Sequence, residues 1–456
     1  MTIAPRIAII GRTNVGKSSL FNKLVEEQKS LVSNVPGTTR DRFEADCLWR
    51  GAVMRLIDTG GLDVEGKDEI EKNIVLQAEK AIAQADLVYF VVDLKVGPVP
   101  DDVEIAKKLR QAKKAVIVVG NKADNSEYRR KPDEPEWRAW PLPKPLAISA
   151  KQGTGLGDLL DASVEALEKI GKPPVEISKI MPMRVCVIGE PNVGKSTLLN
   201  SLLGEERFIT ANVPHTTREP NDALLEHDGQ MYIFLDTAGM RKQASRKRAG
   251  SELEQAGVAK SLALMSRSEV ALFVLDGTKG VTAQERHLAG KLQESRVSTI
   301  IVANKWDLVP GKETNSMNEY EAKIRDFLPQ LDYAPILFTS ALTGKHTQKL
   351  FALIQHVFQT RFTQLSEDEA KQFISKAIVR HRPIRGKGVQ SPKITRFYQS
   401  HINPPVFTLD VNLPRKDSLS VSYVRFLENR MREDYDFLGT PIDIRVEAGR
   451  KTHTTY

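Results

Sequence analysis

Only two cysteines occur in 456 residues, Cys47 and Cys186. Two thiols are too few for a disulfide framework or a zinc site, and both stand among apolar neighbours, as buried thiols do. Long apolar runs are missing as well. The strongest, 87-LVYFVVDL-94 and 270-VALFVLD-276, stop well short of the ~18 residues a membrane span requires and have the length of strands. The opening MTIAPRIAIIG has neither the apolar stretch of a signal peptide nor the Ser/Arg-rich look of a transit peptide, so a cytoplasmic protein with no membrane partner is expected. Acidic residues are outnumbered, 58 Asp and Glu against 66 Lys and Arg, for a formal charge of +8. Such an excess favours polyanionic partners without naming one. What remains is an ordinary globular composition, 41% hydrophobic and 27% charged, on a chain long enough for two or three cores.

An internal repeat organises the chain. The segment 11-GRTNVGKSSLFN-22 returns as 189-GEPNVGKSTLLN-200, 35-VPGTTRD-41 as 213-VPHTTRE-219, and 58-DTGG-61 as 236-DTAG-239. All three keep one offset, which chance similarity does not do. Further on, 121-NKAD-124 pairs with 304-NKWD-307 and 149-SA-150 with 340-SA-341, the offset having drifted through changes in loop length. Within each copy, β-rich runs such as 6-RIAII-10 and 115-AVIVVGN-121 alternate with helical stretches such as 101-DDVEIAKKLRQAKK-114. This predicts an α/β fold, a mostly parallel sheet covered by helices on both faces. The expected domains are 1–166 and 183–360, joined by a Pro-containing linker over 167–182. After the repeat, an α-β-β-α-β order over 361–448 reads as a small α+β domain, followed by a tail, 449–456.

Each copy carries the glycine-rich turn GxxxxGK[ST] between a strand and a helix, a P-loop in which backbone N–H groups and a helix N-terminus face phosphate. The loops comprise Gly11, Arg12, Thr13, Asn14, Val15, Gly16, Lys17 and Ser18, and Gly189, Glu190, Pro191, Asn192, Val193, Gly194, Lys195 and Ser196. Lys17 and Lys195 would contact the β- and γ-phosphates, and Ser18 and Ser196 would give a hydroxyl to Mg²⁺. The DxxG motifs (Asp58, Thr59, Gly60, Gly61 and Asp236, Thr237, Ala238, Gly239) would hold Mg²⁺ through the aspartates and offer the last glycine's N–H to the γ-phosphate. A second hydroxyl on Mg²⁺ is sought between these motifs. Thr38-Thr39 and Thr216-Thr217 are the candidate pairs, and Thr39 and Thr217 are favoured.

The NKxD motifs discriminate the base. Asp124 and Asp307 can accept from both N1–H and the exocyclic amine of guanine, a pair adenine lacks, so GTP and GDP are the expected ligands. Asn121 and Asn304 would brace P-loop and base, Lys122 and Lys305 would cover the base plane, and Ser149-Ala150 and Ser340-Ala341 would close the pocket.

Tandem P-loop domains with GRTNVGKS, GEPNVGKS, PGTTRD, DTGG, DTAG, NKAD and NKWD, followed by a small α+β domain, resemble the Der (EngA) family of double Era-like GTPases over essentially the whole chain. The resemblance implies a C-terminal KH-like domain, GTP hydrolysis, and action in assembly of the large ribosomal subunit with its rRNA as partner. A monomer is expected. It also implies that Asn14 and Asn192 help bind K⁺, so that hydrolysis is potassium-stimulated and Asn14, Lys17, Thr39, Asn192, Lys195 and Thr217 form the catalytic sets. Where many GTPases place a water-orienting Gln after DxxG, this chain has Leu62 and Met240. The copies differ too, with His215 and Glu219 where the first has Gly37 and Asp41. A Pro-rich insertion, 128–147, reads as a surface loop.

Two basic stretches, 241-RKQASRKR-248 and 376–397, are candidate RNA contacts, although no GxxG loop of the kind KH folds use is evident. The rival reading is a nucleotide-sensing RNA- or protein-binding scaffold with only one catalytically active domain.

Overall fold

The computed structural model describes residues 4–31, 44–59, 83–137, 140–204, 221–237, 259–311, 315–383, 392–412 and 419–448. It divides into two compact units, Met1–Ile180 with Gln364–Gln372, and Met181–Thr363 with Phe373–Tyr456.

In the first unit, strands β1 (Arg6–Ile10), β2 (Glu44–Trp49), β3 (Ala52–Asp58), β4 (Leu87–Asp93), β5 (Ala115–Asn121), β6 (Leu146–Ala147) and β7 (Val175–Glu176) form one sheet. The order is β2-β3-β1-β4-β5-β6, with β7 on β3. Pairings are parallel except those of β3 with β2 and β7. Every residue of β4 is buried, as expected of a central strand covered on both faces. One face packs Leu20, Leu24, Leu156, Leu159 and Leu160 of helices α1 (Lys17–Leu31) and α4 (Leu156–Lys169) against Ile7, Ile9, Tyr89 and Val91. The other packs Ala106 and Leu109 of α2 (Pro100–Gln111) against Ile10, Val88, Phe90 and Val92.

Two expectations change here. The segment 167–182 is not a plain linker: α4 runs on to Lys169, β7 pairs with β3, and Val175 and Ile177 are buried. Two apolar residues beside a proline pair are too short a pattern to read as a strand. The insertion 128–147 is more than an irregular loop. After α3 (Ser126–Arg130), single 3-10 turns at Lys131–Asp133 and Pro135–Trp137 bury Pro132 and Trp137. Trp140 stacks on Phe90 at 5.8 Å, and Trp137 meets Trp140 edge-on at 5.1 Å. Aromatic burial of this size offsets the entropy of holding a long connection in place. The first unit also takes in Gln364–Gln372, where Gln364 Oε1 accepts from the Arg50 N–H at 2.7 Å and Glu369 pairs with the Arg50 guanidinium at 2.9 Å.

The second unit repeats the architecture. Strands β8 (Met183–Ile188), β9 (Ala223–His227), β10 (Gln230–Phe234), β11 (Val270–Asp276), β12 (Ser298–Asn304) and β13 (Ile336–Phe338) take the order β13-β12-β11-β8-β10-β9, with helices α5 (Lys195–Leu203), α6 (Ala283–Ser295), α7 (Ser316–Phe327) and α8 (Lys349–Thr360). The rest of this unit follows α9 (Glu367–Arg380): β14 (Ile394–His401), β15 (Val406–Val411), α10 (Val421–Asp434) and β16 (Asp443–Ala448). Its sheet order is β14-β15-β16, completing the expected α-β-β-α-β succession. Arg361 joins the two parts of this unit. Its buried guanidinium donates to the Glu269 carbonyl at 3.0 Å, Ser298 Oγ at 2.9 Å and Asn403 Oδ1 at 2.6 Å. Burial pulls its pKa down to about 10.

Candidate functional site

Both P-loops follow one backbone path. Gly11, Asn14 and Gly16 have φ of 149°, 63° and 95°, and Gly189, Asn192 and Gly194 have 150°, 67° and 99°. The glycines are required by close approach as much as by φ. A Cβ on Gly16 would lie 2.3 Å from Asn121 Nδ2, and one on Gly194 2.2 Å from Asn304 Nδ2. Those asparagines tie three motifs together. Asn121 donates to the Val15 carbonyl at 2.9 Å and accepts from the Ala150 N–H at 3.0 Å; Asn304 donates to Val193 at 3.0 Å and accepts from Ala341 at 2.9 Å. Lys17 Nζ arches over its loop to the carbonyls of Gly11 and Arg12, at 2.9 and 3.1 Å. Lys195 Nζ does the same to Gly189 and Glu190, at 2.8 and 2.6 Å. Burial lowers the Lys195 pKa to about 8, against the opposing charge of Glu190. Ser18 and Ser196 stand in the first turns of α1 and α5, and Thr13 and Pro191 on the exposed outer face of each loop.

Asp58 ends β3 opposite Ile9 of β1, beside the start of the P-loop, and is buried. The neighbouring Thr59 hydroxyl donates to the Ile9 carbonyl at 2.7 Å. In the second copy, the Asp236 N–H donates to Asp222 Oδ1 at 2.9 Å, the Thr237 hydroxyl to the Asn221 carbonyl at 3.0 Å, and Lys260 pairs with the Asp236 carboxylate. Seryl hydroxyl and carboxylate oxygens form the hard donor set that Mg²⁺ takes, and the loop N–H groups and lysines suit phosphate. Thr39, Gly60, Gly61, Leu62, Thr217, Ala238, Gly239 and Met240 lie outside the described residues, as do the loop pairs Gly37/His215 and Asp41/Glu219 and the basic stretch 241–248.

At the base end, the Asp124 carboxylate accepts from Ser149 Oγ at 2.7 Å and from Lys95 Nζ at 2.7 Å. The Lys95 ammonium, then the Ser149 hydroxyl, hold its pKa below the usual carboxylate range. Asp307 sits in a 3-10 turn, Trp306–Leu308, and Ser340 Oγ accepts from the Thr343 N–H at 3.3 Å. Lys122 and Lys305 have positive φ, 68° and 58°. Lys122 Nζ reaches Asp93 Oδ2 at 2.6 Å and the Asn14 carbonyl at 2.8 Å, and Lys305 Nζ reaches Asp276 Oδ2 at 2.7 Å. The aliphatic stem of Lys122 therefore spans from β5 to the P-loop, able to cover one face of a base while the ammonium is anchored. Burial opposes the charge of Asp276, but the hydrogen bonds from Lys305 and Thr278 outweigh it and hold the carboxyl below its usual range.

The pair Asp93 and Asp276 is absent from the motifs read in the sequence. A signal was present, since both are the polar ends of seven-residue apolar strands and stand at the same offset as NKAD and NKWD. The P-loop's second position was read only as part of the loop, yet it is tethered differently in each copy. Arg12 Nε donates to buried Asp102 Oδ2 at 3.3 Å, whereas Glu190 accepts from the Thr282 hydroxyl. Burial raises the pKa of Asp102, and of Glu285, which Glu190 pushes further up.

A separate feature lies on the C-terminal part of the second unit. Arg380 of α9 and Ser422, Arg425, Phe426, Arg430 and Glu433 of α10 line an open groove of about 540 Å³. Arg380 is the described part of the 376–397 stretch that enters it. Among the described residues, no helix is long and apolar enough to cross a membrane.

The family described as "50S ribosome-binding GTPase" matches residues 6–122 and again 184–305, and that described as "KH-domain-like of EngA bacterial GTPase enzymes, C-terminal" matches 364–446. The protein named GTPase Der of Pelotomaculum thermopropionicum is 42% identical over 96% of this chain and 97% of its own length. GTPase Der of Symbiobacterium thermophilum is 41% identical over 98% and 93%, and that of Caldanaerobacter subterraneus 40% over 97% and 98%. Two matching P-loop and NKxD frameworks, a KH-like domain and full-length relatives converge on one conclusion: the chain belongs to the GTPase Der family, and is a guanine-nucleotide-binding GTPase with tandem G domains.

Proposed function

We propose that the protein is a cytoplasmic, monomeric switch in late assembly of the large ribosomal subunit, where GTP binding and hydrolysis at two sites control its residence on the rRNA. The observation that supports this reading is that in both copies one asparagine joins the P-loop to the SA pair by the same hydrogen bonds, with an NKxD aspartate three residues on. A scaffold with a single working site has no need to keep both. The family's description as ribosome-binding points to the large subunit, and Arg380 and Arg425 of the groove offer cations to a phosphate backbone, Arg430 being paired with Glu433 and Asp434.

In each site the loop N–H groups and Lys17 or Lys195 hold the β- and γ-phosphates, and Asp124 or Asp307 fixes the guanine. Ser18, Thr39 and Asp58, and Ser196, Thr217 and Asp236, hold Mg²⁺, which supplies charge neutralisation on the phosphates when bound. Asn14 and Asn192, at the outer turn of each loop, hold K⁺ where charge develops. With Leu62 and Met240 unable to orient water, each site obtains that function from another group or turns over slowly.

Turnover by Lys17→Ala and Lys195→Ala chains, compared in potassium and sodium at equal ionic strength, tests the reading. Each variant is expected to retain the other site's share, and potassium to accelerate both. Complete loss in one variant with none in the other would instead select the scaffold with a single active domain.

A further inference from the structure

In the first guanine site a cation stands directly on the base-reading carboxylate. Lys95 follows β4, and its Nζ donates to Asp124 Oδ2 at 2.7 Å while Ser149 Oγ donates to Oδ1 at 2.7 Å. Each carboxylate oxygen has room for two donors. The two contacts therefore take one position on each oxygen, fixing the carboxylate while leaving one position on each for the N1–H and 2-amine of guanine. At the corresponding position of the second copy, two residues beyond Asp276, stands Thr278, whose hydroxyl turns back to Asp276 Oδ1 at 2.7 Å.

Lys95 is itself supported by the insertion. Its ammonium lies 5.5 Å from the centroid of the Tyr128 ring, and Lys131 Nζ, also 5.5 Å from that ring, donates to the Lys95 carbonyl at 3.4 Å. Tyr128 belongs to α3, whose start is capped by Asn125 accepting from the Tyr128 N–H at 2.9 Å. Arg129 ties the same helix to the pocket-closing loop, donating to the Ala123 carbonyl at 3.4 Å and to Thr154 Oγ1 at 3.2 Å. The Pro-rich segment is thus built onto the guanine site, with Trp137 and Trp140 anchoring its far end.

We infer that Lys95, held by Tyr128, is a positioning residue that sets guanine selectivity in the first site, by keeping the Asp124 carboxylate turned to receive both donors of the base edge. The inference rests on the reading of Asp124 as the guanine-binding carboxylate. A carboxylate released from Lys95 can still meet one donor but loses the paired geometry. Inosine diphosphate, which lacks the 2-amine, then suffers less than GDP.

The test uses the full chain carrying Lys195→Ala, which removes the phosphate-binding ammonium of the second site for either nucleotide, so that tight binding reports on the first. Lys95→Thr is expected to weaken GDP roughly three- to tenfold, the scale of one partly screened charge-assisted hydrogen bond, and inosine diphosphate by less. The GDP-to-IDP preference therefore falls. Lys95→Arg restores it, and Tyr128→Ala reproduces part of the loss. An equal loss for both nucleotides, or no change in either, overturns the role of Lys95. Asp124→Asn in the same background separates the two claims, because a GDP preference that survives it overturns the reading of Asp124 itself.

Discussion

Lys195 is the residue whose chemistry the fold alters most directly in a proposed role. Its ammonium is tucked against two P-loop carbonyls, and burial brings its pKa to about 8. A phosphate favours the charged form, so binding above that pH must take up a proton. In a chain whose first site is disabled by Asp124→Asn, the GDP dissociation constant of the second site is expected to stay level below about pH 7. It should rise by up to about tenfold per unit above pH 8. Titration calorimetry across pH 6.5 to 9.5, as a chosen range of about three units, reads this directly, and a level profile throughout would contradict the assignment.

Much at this scale was legible beforehand. P-loop and NKxD residues bind backbone groups at fixed separations, so their spacing is written in the chain, and Asn121 and Asn304 each donate to a P-loop carbonyl. Lys95 carried no such mark, because its meeting with Asp124 depends on the turn after β4 approaching the end of β5. The groove arginines, Arg380 and Arg425, are likewise brought together only by the packing of α9 and α10.

Among the elements, the strands were the most readable, since β4 and β11 are apolar on both faces and end in aspartate. The insertion was not, because its order comes from side chains rather than from backbone periodicity. Its prolines signal a loop, while Trp137 and Trp140 supply the packing that a loop ordinarily lacks. Trp137 is 5% exposed, and replacing it with Ala should destabilise the first unit by about 3–5 kcal/mol, the range for emptying a buried tryptophan site. Urea unfolding followed by a probe in the first unit checks this, and a change below about 1 kcal/mol, the size of a surface substitution, would mean that the segment does not share that unit's core. Strand β7 escaped sequence reading for a different reason. Two paired residues after Pro173 and Pro174 give no alternation to detect, yet they extend the sheet through Ala52 and Val53.

At the scale of the whole molecule, two GTPase frameworks are carried on one chain with unequal surroundings. The first has Arg12 on buried Asp102 and Lys95 on Asp124; the second has Glu190 beside the Glu285 carboxylate and Lys260 on Asp236. Equal site skeletons with unequal charges suit two nucleotide responses rather than one response twice. In the second unit, Arg361 links the G domain to the segments that follow through hydrogen bonds to Glu269, Ser298 and Asn403.

The central claim is that nucleotide state governs residence on the large ribosomal subunit. Co-sedimentation of the full chain with separated ribosomal subunits, at one fixed salt concentration because charge-driven binding falls steeply with salt, tests it most directly. With a non-hydrolysable GTP analogue, the account predicts migration with the large subunit and markedly less with GDP. Equal migration in both nucleotide states, or with neither, would contradict it.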